Sequence, residues 1–342
     1  MNRLATMADA AAVAGATSRD VALVLAADPR VPSELRHQIV DAIDTTGYRP
    51  LAAIQARLGR PLRFAIVFKT YHGDDPEANR FYTPIASAIA IACVKRGAEI
   101  GQATMIVDDQ YELLEIPTAL TEGTYDAAFF IGTSLDAVAL ERIRTICPVV
   151  LVDGYSDHDA VDSVVTDNIA GATMAVEHLI AAGHVGIGLI GTEPNCYPSV
   201  QDRRKGYTQA LQARDLETHF IDASYVLTEA VAVLGLDYVR RHPDVTAIFG
   251  VNDLITVAFM QLVRNAGLRI PADLSLVGFD DIDLASLVMP ALTTIAVDKV
   301  LMGRAAFALL AHRLEAPATA PIKALVNPRL VERESVVSPR IR

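Results

Sequence analysis

The sequence predicts an α/β protein with a small N-terminal helix-turn-helix headpiece and a two-lobed core built on parallel sheets. Three observations carry this. Residues 1–50 show helical periodicity, with Gly15 and Gly47 placed to end helices. From residue 63 near-continuous apolar strands alternate with longer helices, the pattern of parallel sheets covered on both faces. After residue 162 the alternation starts afresh, which reads as a second lobe of the same kind. At 342 residues the chain has room for two or three domains.

In order along the chain, Thr6 can cap a helix through Ala14 that Gly15 ends. Thr17 can cap a second helix, in which Val21, Val24 and Leu25 form an apolar stripe. "DPRV" then breaks the chain. Ser33 opens a third helix with Leu35, Ile39, Val40 and Ile43 expected inward and Gly47 at its end. Helix, glycine turn, helix, with a third helix completing a small core, is the helix-turn-helix arrangement. A three-helix head of this kind also serves for dimerisation or docking, and the pattern alone leaves those uses open. "YRPLAAIQARLGRP", 48–61, lies between Pro50 and Pro61 and reads as a hinge helix too short to stand alone in water.

The strands expected in the core are 63–69, 98–106, 126–132 and 148–154 in the first lobe, then 185–191, 247–252 and 274–280 in the second. Helices are expected over 84–96, 168–182, 200–213 and 253–266. Two such lobes predict a ligand cleft between them, near the C-terminal ends of the strands.

Net charge is −11, which argues against nucleic acid as a partner of the whole surface. The charge is uneven, however. Residues 1–63 hold eight Arg against six Asp or Glu, a balance of +2, leaving −13 for the rest. A near-neutral head on an acidic body suits local DNA contact without general stickiness. Cys93, Cys147 and Cys196 form no CxxC pair and lie in apolar surroundings, so reduced, buried thiols in the cytoplasm are expected. Asp9 interrupts the alanine-rich opening, and no stretch approaches the ~18 apolar residues of a membrane helix. A soluble protein that is not exported is expected.

Several motifs invite sharper chemistry. "GIGLIG", Gly186 to Gly191, matches a dinucleotide fingerprint, but its glycines lie inside a strand with no acid about 20 residues on. Close packing of a helix on a glycine-bearing strand is the expectation there. Asp280, Asp281 and Asp283 lack the spacing of an oxygen-ligand loop, and one acid facing the cleft with two in solvent is expected. His178 and His184 flank a helix end, where a cation suits the dipole. The chain has no GxSxG, HExxH or P-loop pattern, so neither an enzyme, a cofactor nor a metal is expected.

Several stretches together resemble one family: "TMADAAAVAGATSRDVALVL" with "DPRV", "GYRP", "AVEHLIAAGHVGIGLIG", "AGLRIPADLSLVGFDD", "PALTTIAVD" and "PRLVERES". In this order and at these distances they are similar to the lac repressor (LacI/GalR) family of transcriptional regulators. The resemblance implies a headpiece over 1–49, a hinge helix over 50–61 and a periplasmic-binding-protein-like core. The core's N-terminal lobe would be 62–160 with 292–324, and its C-terminal lobe 161–291 with 325–342. It implies operator DNA with an inverted repeat, a homodimer and a small effector, in keeping with a carbohydrate, as partners.

Carried onto this chain, the DNA contacts fall on Thr17, Ser18, Arg19 and Leu23. Arg19 could pair bidentately with guanine. Leu23 departs from a frequent arginine, and Ala22 and Ala26 from the usual serine and asparagine. In the hinge, the position of the family's minor-groove leucine is Arg57, and Leu58 follows it. Effector contacts fall on Asn79, Phe81, Asp167, Arg203, Asn252 and Asp280. Asn252 and Asp167 would also serve simply as helix caps. Where the family often has glutamine, this chain has Val297. The implied function is a DNA-binding regulator, a repressor, controlled by a sugar. The alternative is a sugar-binding protein without DNA-binding activity.

Overall fold

The first helices begin and end where local chemistry requires, in a computed structural model that describes residues 4–26, 28, 30–70, 80–107, 113–156, 160–193, 196–223 and 229–339. α1 (Met7–Ala14) and α2 (Ser18–Leu25) each open with a capping box. Thr6 Oγ1 accepts from Asp9 N at 3.3 Å while the Asp9 carboxylate accepts from Thr6 N at 2.8 Å. Thr17 and Asp20 repeat this at 3.2 and 2.9 Å. Gly15 ends α1 at φ 63°, and Gly47 ends α3 (Ser33–Thr46) at φ 65°, left-handed conformations that favour glycine. Met7, Ala10, Val21, Val24, Ile39 and Ala42 fill the headpiece core. Val40, expected inward, is 43% exposed; the buried stripe of α3 runs through Ile39 and Ala42 instead.

α4 (Ala52–Leu58) is the hinge helix, entered through Leu51 at φ 71° and closed by Gly59 at φ 67°. Its seven residues do not stand alone, because Gln55 Nε2 donates to the Gly97 carbonyl at 3.1 Å.

The core then runs through β1 (Arg63–Thr70), α5 (Tyr82–Val94), β2 (Glu99–Val107), β3 (Leu113–Glu115), α6 (Thr118–Thr121) and β4 (Ala127–Ile131). β5 (Ser134–Leu135), α7 (Ala137–Ile146), β6 (Val149–Val152), β7 (Tyr155–Ser156) and β8 (Asp162–Thr166) follow. Next come α8 (Asn168–Ala181), β9 (Gly186–Ile190), α9 (Pro198–Gln212), β10 (His219–Ile221), α10 (Glu229–Arg241) and β11 (Val245–Gly250). The last are α11 (Asp253–Asn265), β12 (Ser275–Asp280), α12 (Asp283–Leu287), β13 (Thr293–Ala296), α13 (Lys299–Glu315), β14 (Lys323–Val326) and β15 (Arg329–Val331).

Two units emerge: Met1–Val165 with Lys299–Val326, and Thr166–Asp298 with Asn327–Arg342. In unit 1 a seven-stranded sheet has the order β14-β8-β6-β4-β1-β2-β3. β4 is its centre, parallel to β1 and β6, and every residue of β4 is buried, as the unbroken apolar run requires. In unit 2 the order is β10-β9-β11-β12-β13-β15, parallel except for β15. The span 292–298 lies in unit 2 because β13 pairs with β12.

"GIGLIG" forms β9 and the residue after it. A Cβ on Gly186 would lie 2.1 Å from the Asp244 carbonyl oxygen, and one on Gly188 2.6 Å from Ile248 Cδ1. These two glycines admit neighbouring chain rather than a helix; only Gly191 meets a helix, at Ile255 of α11. The tight helix contact is elsewhere: a Cβ on Gly206 of α9 would lie 2.3 Å from the Ile169 carbonyl oxygen of α8. His184 is also not the cation expected. It is buried between Thr246 Oγ1 (2.8 Å) and the Val337 carbonyl (2.9 Å), and burial lowers its pKa. Among the described residues no helix is long and apolar enough to cross a membrane.

Candidate DNA-reading and effector sites

In unit 2 the parallel strands β11 and β12 deliver polar residues at their C-terminal ends. Asn252 follows β11 and caps α11, its Oδ1 accepting from Ile255 N at 2.9 Å. Asp167 caps α8 in the same way, from Ala170 N at 3.0 Å. Both cap roles weighed from sequence are therefore present, and each fixes its side chain at a strand end.

Asp280, the last residue of β12, holds a φ of 106°, which costs energy in any residue with a Cβ. Arg203 of α9 is only 5% exposed. Its Nη2 donates to Asp280 Oδ1 at 3.2 Å, its Nε to Asn168 Oδ1 at 2.9 Å, and its Nη1 to the Val251 carbonyl. The guanidinium lies over the Phe279 ring, 3.8 Å from the centroid. Arg203 and Asp280 thus come together, with Arg203 acting as a buried strut that aims the carboxylate.

Beneath them lies a residue that sequence reasoning missed. Asp253 is fully buried, with Ile282 N donating to Oδ2 at 2.9 Å and Thr294 Oγ1 2.6 Å from Oδ1. Burial, and then the charge of Asp280, push its carboxyl up to about 8. As the first residue of α11 it reads in sequence only as an acid suited to the helix dipole. The carboxylate cluster differs from expectation as well. Asp281 accepts from Arg333 Nη2 at 2.6 Å, leaving Asp283 alone of the expected solvent pair fully exposed.

In unit 1, Phe81 precedes α5 and packs edge-on to Tyr82, with ring centroids 5.1 Å apart. Lys299 Nζ stands 5.4 Å from the Phe81 centroid. Tyr82 Oη donates to Asp153 Oδ2 at 3.0 Å, and Asp153 follows β6 at φ 48°. Lys69, near the end of β1, is pushed down to about 8 by burial, against the opposing field of Asp153. Tyr82, Asp153 and Lys69 were not singled out from sequence. The usable signal was an ionisable residue ending an apolar run, as in "PVVLVDG" and "RFAIVFK". Asn79 lies outside the described residues. Val297 is buried. All three cysteines are buried, and burial pushes Cys93 to about 12 and Cys147 to about 11, which keeps them as thiols.

In the headpiece, Thr17 and Arg19 are exposed and Ser18 and Leu23 half-buried. The Thr17 hydroxyl is engaged with Asp20. Arg57 and Leu58 are both exposed on α4.

Residues 176–336 match the family described as periplasmic binding protein-like domain. The HTH-type transcriptional regulator MalR of Streptomyces coelicolor is 28% identical over 345 residues, spanning 97% of this chain and 96% of its own length. The ribose operon repressor of Haemophilus influenzae is 28% identical over 339 residues, spanning 98% and 99%. Headpiece, hinge and core are matched together. Along its whole length the chain is similar to regulators of the LacI/GalR kind. Its likeness to solved structures extends through both units. A CelR–cellobiose complex matches with a TM-score of 0.66 and 25% identity, covering 97% of this chain and all of that one. A lac repressor dimer bound to operator and anti-inducer matches in fold with a TM-score of 0.67 and 22% identity, over 97% of this chain and 99% of that one. The relatives matched over nearly the whole chain are transcriptional regulators.

Proposed function

We propose that this regulator is a cytoplasmic repressor that binds an inverted-repeat operator as a homodimer and answers to a sugar. The observation that carries this is the joining, in one chain, of a doubly capped helix-turn-helix to one unit whose strand ends present Asp280 and Asn252 and another that carries Phe81 at the start of α5. Thr17, Ser18, Arg19 and Leu23 supply the operator contacts, with Arg57 or Leu58 entering the minor groove. The headpiece is 1–49, the hinge helix 50–61, and the rest is the effector-binding core.

Hydroxyl-rich ligands need fixed acceptors, planar amides and an aromatic face. Phe81, Asp167, Asn252 and Asp280 provide these, and Arg203 holds Asp280 in place. Asn79 belongs to the same set by resemblance. The cellobiose of the CelR complex belongs to this class, and another relative is named for a ribose operon. Control follows from population shift: a ligand that binds one core conformation better changes the fraction of chains whose hinge helices are ordered for DNA.

Mobility shift on a random-sequence duplex library, with and without a sugar panel that includes ribose and cellobiose, tests this. The expected result is a selected duplex whose binding one sugar changes. Sugar binding by calorimetry with no DNA binding would leave the alternative, a sugar-binding protein alone. DNA binding indifferent to every sugar would remove the carbohydrate.

A further inference from the structure

The reading face of α2 does not point into open solvent. Arg19, Ala22, Leu23 and Ala26 stand at the i, i+3, i+4, i+7 spacing of one helix face. Ala22 and Ala26 are 3% and 1% exposed, although Val21 and Val24 are the residues that turn to the headpiece core. The cover comes from α13, on which α2 packs. With Ala305, Ala308 and Leu309 of α13 the reading face borders a cavity of about 310 Å³. On the other flank Leu25 borders a cavity of about 450 Å³ with Ile91 and Phe307. A major groove about 12 Å wide must close around a helix about 10–12 Å across. DNA and α13 therefore compete for the same side of α2.

Glu315, the last residue of α13, supplies the second observation. Its carboxylate accepts from Met7 N, the first residue of α1, from Leu51 N at the entry to α4, and from Tyr48 Oη, each at 3.1 Å. A carboxylate at a helix C-terminus is opposed by the helix dipole. Three donors from headpiece and hinge account for its place there. Burial and the neighbouring Glu315 charge raise the Tyr48 phenol, so Tyr48 stays a donor.

We propose that Glu315 latches the headpiece in a docked state that stores the reading face of α2 against α13, so that DNA binding requires release of this contact. The proposal rests on the reading that the headpiece binds DNA. The apolar Ala22, Leu23 and Ala26 suit a helix that alternates between a protein surface and a groove. The two flanking cavities limit the apolar surface over which α2 and α13 meet, which keeps the contact weaker than a filled core and suits reversal.

The parent, Glu315→Ala, Glu315→Gln and Ala305→Arg are compared as full chains. Amide hydrogen exchange over 18–25 is measured without DNA, and affinity is measured on a pool of random-sequence duplex. Ala305→Arg attacks the contact from the α13 side, and Glu315→Gln keeps one carbonyl acceptor. Faster exchange and DNA binding about tenfold tighter are expected for Glu315→Ala and Ala305→Arg, with Glu315→Gln between them and the parent. Equal affinity throughout overturns the latch and leaves DNA reading standing. Faster exchange with unchanged or weaker DNA binding makes the contact merely supportive of the headpiece, which also overturns it. Failure of all four chains to bind DNA overturns the latch together with the function it rests on.

Discussion

Arg203 and Asp280 show how one buried contact can serve structure and ligand together. Their side chains are 6% and 13% exposed. Removing the guanidinium leaves Asp280 and Asn168 facing a hole, so Arg203→Ala should destabilise unit 2 by about 3–5 kcal/mol in urea unfolding. Asp280→Asn keeps the shape and one acceptor, and should cost about 1–3 kcal/mol while weakening sugar binding by at least about tenfold. Equal stability losses in the two variants would contradict the strut role. Asp253 adds a pH dependence. Its carboxyl rises from the usual 3.8 to about 8 in the folded chain. Between those values the folded state holds a proton that the unfolded state has lost, so stability should fall as pH rises through that window. Asp253→Asn should flatten this slope. A parent whose denaturation midpoint stays level across the window would rule the protonated form out.

At the scale of elements, close approach and capping decide the outcome. Gly206→Ala would press a methyl onto the Ile169 carbonyl, 2.3 Å from the ideal Cβ, and should cost at least about 2 kcal/mol by forcing α8 and α9 apart. Unchanged thermal stability would mean the helices yield freely. Thr17→Ala should loosen α2 by about 1 kcal/mol through loss of its capping box. In the hinge, Arg57→Ala or Leu58→Ala, whichever removes the inserting side chain, should reduce DNA bending. The headpiece was legible in sequence almost residue by residue, because Thr6, Thr17, Gly15 and Gly47 act on their own neighbours. The central strands were legible through unbroken apolar runs such as "DAAFFIG". Two-residue strands such as β5 and β7 gave no period to read. Val40 misled because an apolar residue beside a helix stripe can remain in solvent. Asp253 and Glu315 were invisible for a different reason: each draws its role from partners far away in sequence. Glu315 lies 308 residues from Met7, and no local pattern encodes that contact.

For the whole molecule, an acidic body with a weakly basic head is suited to reading DNA at one end only. The proposed function places reading, hinge and effector roles on separate segments of one chain. The central claim is that this chain selects a DNA sequence through Arg19 and gives it up or holds it according to a sugar. The measurement that tests it most directly is selection from a random duplex library by parent and Arg19→Ala, each with and without the sugar panel, followed by sequencing of the bound duplexes. The account predicts an enriched inverted repeat, a yield altered by one sugar, and loss of definition at one base pair per half-site in Arg19→Ala at a cost of roughly 1–3 kcal/mol. A parent that enriches no sequence, or an Arg19→Ala that enriches the same repeat equally well, would contradict it.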